Sequence, residues 1–222
     1  MVKAEKTKEP IPVLTWTLIL LNVLIYLWDR KLGFFGPGFV FSDLAMRPKE
    51  VIAAVTGGGD RFPVATIFTA MFLHGGFLHL FANMMFLAVF GPPVEQAVGP
   101  WRFVLYYQGW GVFAALCQIY AGPLSNVPTL GASGAIGGVL GCYFLLFPSN
   151  RLHILIMGIW EIETKAWILL GLWFLYQIFV KQEGVATWAH IGGFLAGMVT
   201  VLVIGGRDTI LRQHPELIEA DD

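Results

Sequence analysis

The stretch Gly131-Ala132-Ser133-Gly134-Ala135-Ile136-Gly137-Gly138 opens an apolar run that ends near Phe147. It sets one hydroxyl among small residues, with no bulky neighbour to shield it from backbone and side chains arriving from elsewhere. Helical spacing puts Ser133, Gly137 and Gly141 on one face, a groove of small residues that a second helix can enter. Taken alone, such a serine is most simply a helix cap or a packing residue. What it does depends on the rest of the apolar chain.

That chain is overwhelmingly apolar. Of 222 residues, 56% are hydrophobic and only 13% charged, and the mean hydropathy is +0.68. The charged fraction is about half the usual globular value of roughly 25%. These values imply an integral membrane protein of the all-α, polytopic class. A net charge of −1 says nothing about partners, and no basic patch suggests nucleic acid, so none is expected. Cys117 and Cys142 both lie inside apolar runs and read as small buried hydrophobes, with no metal-ligand spacing and no disulfide framework.

Working outward, the runs predict six spans. Ile11 to Trp28 is a nearly uncharged 18-residue run, enough for about 27 Å of helix. Asp29-Arg30-Lys31 comes after it where a cleavable leader would carry a small-x-small site, so it reads as a retained first span. A long first outer loop then runs from Gly33 to about Ala65, with a short amphipathic helix expected between Ser42 and Ala54. Further spans are expected near Gly76–Val94, Phe103–Tyr120, Ser133–Phe147, Ala166–Val180 and Val185–Gly205. Gly91-Pro92-Pro93 marks an end or a kink. Leu152 to Trp160 is too short to cross and reads as an interfacial or re-entrant piece. The domain plan is a cytoplasmic segment 1–10, a membrane domain 11–205 and a polar cytoplasmic tail 206–222. Eight Lys and Arg fall on the N-terminal side of the membrane and six on the other, and Lys3, Lys6 and Lys8 flank the first span directly. This predicts a cytoplasmic N-terminus, with Trp101, Trp160 and Trp188 as interface anchors.

With that orientation, spans two, four and six all run inward from the outer surface. His79 and Asn83 lie in the first two turns of span two, Ser133 starts span four, and His190 lies about one and a half turns into span six. All four therefore share the outer half of the membrane at similar depth. His79 and Asn83, four apart, share a helix face. His190, Gly193 and Gly197 follow i, i+3, i+7, so the histidine tops a glycine stripe that faces the stripe of span four. The expectation is a Ser133–His190 hydrogen bond, because a serine hydroxyl needs an adjacent base to act as a nucleophile. The Ser133 amide, at a helix N-terminus, together with His79 and Asn83, supplies candidate oxyanion donors. No carboxylate lies at that depth, so a dyad is predicted, not a triad with an acid. Glu95 is expected at the cytoplasmic end of span two, capping or pairing near Arg102. His74 is expected to organise the loop before span two, and His153 and His214 to be solvated.

Gly131-Ala132-Ser133-Gly134, the His79-x-x-x-Asn83 pair and Ala189-His190-Ile191-Gly192-Gly193 with Gly197, taken in this order, resemble the rhomboid family of intramembrane serine proteases. Gly91-x-x-x-Glu95-x-x-x-Gly99 is also similar to that family's pattern. The resemblance extends from the first span to the sixth. It implies a rhomboid-like six-helix bundle with a water-accessible site sunk below the outer surface. It also implies hydrolysis of peptide bonds in transmembrane or juxtamembrane segments of other membrane proteins. By the match, Ser133 is the nucleophile, His190 the general base, and His79 and Asn83 oxyanion stabilisers. Gly131 and Gly134 clear the approach, and Gly137, Gly141, Gly193 and Gly197 form the packing stripe.

Two positions depart from the pattern. Ala65-Thr66 stands where many bacterial members have Trp-Arg, and Gly137 stands where many have a tyrosine packed on the catalytic histidine. The second raises the question of what holds His190 in its rotamer. No cofactor or metal is expected, since serine, histidine and water suffice. The expected partners are transmembrane substrates and the lipid bilayer, the expected location a bacterial plasma membrane. Span five and the Lys181-to-Thr187 loop are the expected gate. The competing expectations are a catalytically silent relative that binds transmembrane helices, which would lack the serine or the histidine, and a small transporter, which would show repeated halves.

Overall fold

The computed structural model describes residues 11–35, 42–57, 60–156, 160–180, 182–214 and 217. The segment Met1–Pro10, Lys181, the Trp160 side chain and most of the tail beyond 214, on which several expectations fall, lie outside the described residues. In chain order the elements are α1 (Val13–Asp29), α2 (Pro48–Val55), α3 (Phe62–Thr69), α4 (Phe77–Val98), α5 (Pro100–Ala121), α6 (Ser133–Leu146), β1 (Arg151–Ile156), β2 (Trp160–Lys165), α7 (Ala166–Phe179), α8 (Thr187–Val203) and α9 (Gly206–Leu211). Among the described residues α4 is the one helix long and apolar enough to cross a bilayer by length and composition. α1, α3 with its 3-10 extension, α6, α7 and α8 are shorter apolar helices. Leu20 of α1, Leu105 of α5, Leu172 and Phe179 of α7 and Val203 of α8 point outward and exposed, so these four helices are apolar on outer and inner faces alike.

The bundle is built around α6, in which every residue from Gly134 to Tyr143 is buried. Its glycines allow this. A Cβ on Gly193 would sit on the carbonyl oxygen of Gly134, one on Gly197 on that of Gly138, and one on Gly141 on that of Phe194. α6 and α8 therefore touch backbone to backbone, as the two stripes predict. On another side of α6 the Trp110 ring of α5 lies against Gly138, while its Nε1–H donates to Thr200 Oγ1 of α8 at 2.8 Å.

Gly91-Pro92-Pro93 does not end α4: the helix continues to Val98 and stops at Gly99, whose φ is +85°. Proline removes ladder hydrogen bonds and usually breaks a helix. Here the turns beyond the prolines are held by packing, with Val94, Ala97 and Val98 buried in the main core. They are also held by Glu95. Its Oε1 accepts the Leu14 N–H at 3.0 Å, and its Oε2 accepts the Thr15 N–H and the Thr15 hydroxyl, both at 2.7 Å. Of the two expectations for Glu95, capping or pairing near Arg102, the structure shows capping. The carboxylate caps the N-terminus of α1 from a neighbouring helix, where two first-turn amides would otherwise lack acceptors and the helix dipole favours negative charge.

Three further corrections concern the connections. The piece Leu152–Trp160, expected to be interfacial or re-entrant, contributes instead of a helix to two antiparallel strands in register from Arg151↔Lys165 to Ile156↔Trp160, with Arg151 ion-paired to Glu163. The Ser42–Ala54 helix is split into a 3-10 turn, Ser42–Leu44, and α2, which starts on Pro48 where proline at the first helical position loses no bond. The long first loop also contains a helix the sequence reading did not anticipate, α3. Its Ile67, with Met46, Val51, Ala70 and Ile119, forms a second small core.

Candidate active site

The N-termini of α4, α6 and α8 converge. Ser133 is the first residue of α6, His79 the third of α4 and His190 the fourth of α8. Their side chains line one cavity of about 780 Å³, together with Asn83, Gln118, Trp173 and the 125–130 segment. The depth match made from the sequence therefore corresponds to a meeting in space.

Within it Ser133 Oγ lies 2.9 Å from His190 Nε2. On its other side His190 Nδ1 lies 2.9 Å from Oε1 of Gln177, on α7. An amide oxygen has no proton to give, so this bond requires the proton on Nδ1 and leaves Nε2 as the acceptor for the serine O–H. Trp173, one turn earlier on α7, lies against the imidazole with ring centroids 5.9 Å apart. Gly137 stands under α8: a Cβ there would meet the His190 carbonyl oxygen at 3.0 Å and the Phe194 nitrogen at 3.3 Å. A side chain at 137 would need α8 to give by a few tenths of an ångström, and Trp173 and Gln177 hold the histidine from α7.

The oxyanion side is equally ordered. The Gly75 N–H donates to His79 Nδ1 at 3.3 Å, which puts the His79 proton on Nε2. That nitrogen lies beside Gly131, where an added Cβ would come within 2.9 Å of it. Gly131 also has φ +123°, a conformation side chains rarely adopt, so glycine is doubly required there. Asn83 is 6% exposed, and its Nδ2 has no acceptor among the described residues. The Ser133 amide belongs to the first turn of α6, where helix N–H groups lack internal acceptors.

The long first loop braces this arrangement. Met46 and Thr129 exchange backbone bonds of 3.0 and 2.7 Å, the Lys49 N–H donates to the Ser125 carbonyl at 3.0 Å, and the Gly131 N–H donates to the Ala70 carbonyl at 2.8 Å. The segment leading into Ser133 is thereby tied to α2 and to the end of α3. Arg30, buried at the end of α1, donates from Nη2 to the carbonyls of His74 and Gly75 at 3.1 and 3.0 Å. Ala65-Thr66 takes no part in these bonds, so the loop that carries His79's partner is anchored from α1. His74 is 1% exposed, its ring edge-on to His79 at 5.1 Å. Burial, and secondarily the His79 ring beside it, lowers its pKa to about 3, which keeps it neutral.

Gln177, Trp173 and Arg30 escaped the sequence reading. Gln177 carried a usable signal, a lone amide near the C-terminal end of an apolar run, which in the expected orientation shares the depth of the other four polar residues. Among the described residues no cluster of three or more potential metal ligands occurs.

Comparison with known proteins gives the same direction. A family model of the rhomboid domain matches residues 61–207, well over half the chain. The chain is 33% identical over 140 residues to the putative rhomboid protease YdcA of Bacillus subtilis, covering 61% of this chain and 66% of that one. It is 31% identical over 196 residues to the rhomboid protease GluP of the same organism, 87% of this chain and 35% of that one. To the mitochondrial Rhomboid protein 1 of Saccharomyces cerevisiae it is 30% identical over 145 residues, 60% and 40% of the two chains. The match spans under two thirds of the length of each of these relatives. The domain match includes the helices that bring Ser133, His79, Asn83 and His190 to one cavity, and with these relatives it establishes that the chain belongs to the rhomboid family.

Proposed function

We propose that this protein is an intramembrane serine endopeptidase that cleaves transmembrane or juxtamembrane segments of other membrane proteins near the outer face, using Ser133 and His190. The observation that carries the reading is the 2.9 Å contact of Ser133 Oγ with a His190 Nε2 whose proton is held on the opposite nitrogen. In this reading α1, α4, α5, α6, α7 and α8 are six spans of one membrane domain, with segment 1–10 and tail 206–222 cytoplasmic. The membrane is a bacterial plasma membrane. The family supports membrane residence, and the relatives include a mitochondrial protein.

The chemistry follows from the atoms. Ser133 Oγ attacks the carbonyl carbon of the scissile peptide while its proton passes to His190 Nε2. The carbonyl oxygen becomes an oxyanion and takes hydrogen bonds from the Ser133 amide, His79 Nε2–H and Asn83 Nδ2. When the C–N bond breaks, His190 returns the proton to the leaving amine. Water entering the cavity then gives a proton to Nε2 and its oxygen to the acyl carbon, and when the acyl–Oγ bond breaks Nε2 returns that proton to Ser133 Oγ, which releases the acid and regenerates both residues. No step requires a cofactor. A substrate helix shields its own carbonyls, so it must unwind to be cut. Glycine, alanine or proline near the outer face is therefore the substrate feature expected.

The test is cleavage of a transmembrane reporter by the purified protein. Ser133→Ala and His190→Ala should each abolish cleavage, to nearly the same extent because the pair acts as one unit. Parent-level cleavage by Ser133→Ala would refute the reading. A parent that binds the reporter tightly and never cuts it would favour a silent helix-binding protein.

A further inference from the structure

We propose that Gln177 is a positioning residue: its amide oxygen fixes the tautomer and orientation of His190, so that α7 completes a Ser133–His190–Gln177 relay. The proposal rests on the serine-protease reading above and deepens it.

α7 is a sparsely buried helix. Its buried residues are Ala166, Leu170 and Gln177, and Gln177 is the polar one. An amide at 6% exposure in an apolar helix has to find a partner. Gln177 finds two donors for one oxygen, His190 Nδ1–H at 2.9 Å and Gln182 Nε2–H at 3.3 Å, the second from the segment leading to α8. With two N–H groups aimed at Oε1, the amide oxygen is held toward the imidazole.

Neutral imidazole exists in two tautomers, and only the one with its proton on Nδ1 can accept the Ser133 proton at Nε2. An orienting acceptor behind the base is what serine proteases with a third member gain from a carboxylate. An amide oxygen supplies the same direction without the charge. The side chains that face His190 are Ser133 from α6, His79 from α4, and Trp173 and Gln177 from α7, with Gln118 of α5 accepting the Ala189 N–H next to it. None of these is a carboxylate, so among the described residues Gln177 alone occupies the place behind Nδ1.

The experiment compares the parent with Gln177→Leu, Gln177→Glu and Ser133→Ala, in detergent and in proteoliposomes. Four readouts are taken: kcat and KM on a transmembrane reporter, the rate of fluorophosphonate labelling, the pH profile of kcat/KM, and the imidazole nitrogen spectrum of labelled histidine. Gln177→Leu should lower kcat and labelling by about 10- to 100-fold with KM unchanged, and should move the His190 signal away from the Nδ1–H tautomer. Gln177→Glu should restore turnover and shift the acid limb of the profile upward by about 1 to 3 pH units, because a carboxylate stabilises imidazolium. Parent-like kcat, labelling and tautomer in Gln177→Leu would overturn the proposal. So would an unshifted acid limb in an active, folded Gln177→Glu, which would mark Gln177 as interhelical packing. If Gln177→Leu does not fold, the parent spectrum and Gln177→Glu decide. Loss of labelling in Ser133→Ala beside a parent-like Gln177→Leu would remove this proposal alone. Parent-level cleavage by Ser133→Ala would remove the protease reading beneath it.

Discussion

A single methyl group at Gly193 should damage a site whose reacting atoms it never touches. The added Cβ would fall on the Gly134 carbonyl oxygen, with the Gly134 carbonyl carbon at 3.1 Å and the Gly138 nitrogen at 3.3 Å. Ordinary carbon-to-carbonyl-oxygen contacts lie near about 3.3 Å or beyond, so α6 and α8 must part by more than about 1 Å or shift along each other. All the nearest atoms are backbone, and no side chain can rotate away. Overpacking of this kind costs about 1–3 kcal/mol. The functional loss should be larger in proportion. Ser133 precedes Gly134 and His190 lies one turn before Gly193, so the separation falls directly on their 2.9 Å contact and carries it past about 3.5 Å, where it no longer counts as a hydrogen bond. A misplacement of about 1 Å costs on the order of 100-fold in rate. Gly109→Ala is the control, since a Cβ there meets no atom within 4 Å. Reporter cleavage and thermal unfolding in detergent, measured on both variants, check the reasoning. Parent-level turnover in Gly193→Ala, or equal damage in Gly109→Ala, would refute it.

Other perturbations have comparably defined outcomes. Glu95→Ala removes the acceptor of two buried donors and one part-buried donor at the start of α1 and should cost about 2–5 kcal/mol in unfolding measurements. Thr15→Val, which removes only the hydroxyl bond, should cost less. Asn83→Ala should lower kcat by about 10- to 100-fold with KM little changed, a smaller loss than that of Ser133→Ala, as expected for one oxyanion donor among several. His74, with a pKa of about 3 in the fold against 6.5 when free, binds its proton in the unfolded chain first as pH falls. Its neutral burial is therefore fully favourable above pH 6.5 and is eroded below it, by about 2 kcal/mol at about pH 5. His74→Gln should flatten the pH dependence of the melting temperature between about pH 6.5 and 5.

The apolar helices and the four converging polar residues are legible in the sequence because both depend on local features: apolar runs of helical length, and polar groups whose cost in an apolar setting demands a purpose. Ser133, His79 and His190 can be set at one depth by counting turns from helix starts, and the glycine stripes of α6 and α8 predict which helices touch. The hidden features depend on tertiary context. Nothing local says that α4 survives Pro92 and Pro93, since the packing of Val94 and Val98 and the reach of Glu95 to α1 override a strong breaker. α3 lies in a stretch that reads partly as loop and partly as approach to the next span, and its reason for folding is the small core it shares with α2 and α5. The hairpin is legible in principle, since Glu161-Ile162-Glu163 alternates with period two, but its apolar first half has the look of a short membrane-embedded segment. Gln177 lies on span five, outside the three inward-running spans whose polar residues mark the common depth.

The central claim is that Ser133 is a nucleophile activated by His190. The most direct measurement is covalent: expose the purified protein to a fluorophosphonate at neutral pH and map the adduct by peptide mass spectrometry. The account predicts one modified residue, Ser133, with modification lost in Ser133→Ala and slowed at least about 100-fold in His190→Ala. An adduct on another serine, or labelling of Ser133 at an undiminished rate without His190, would contradict it.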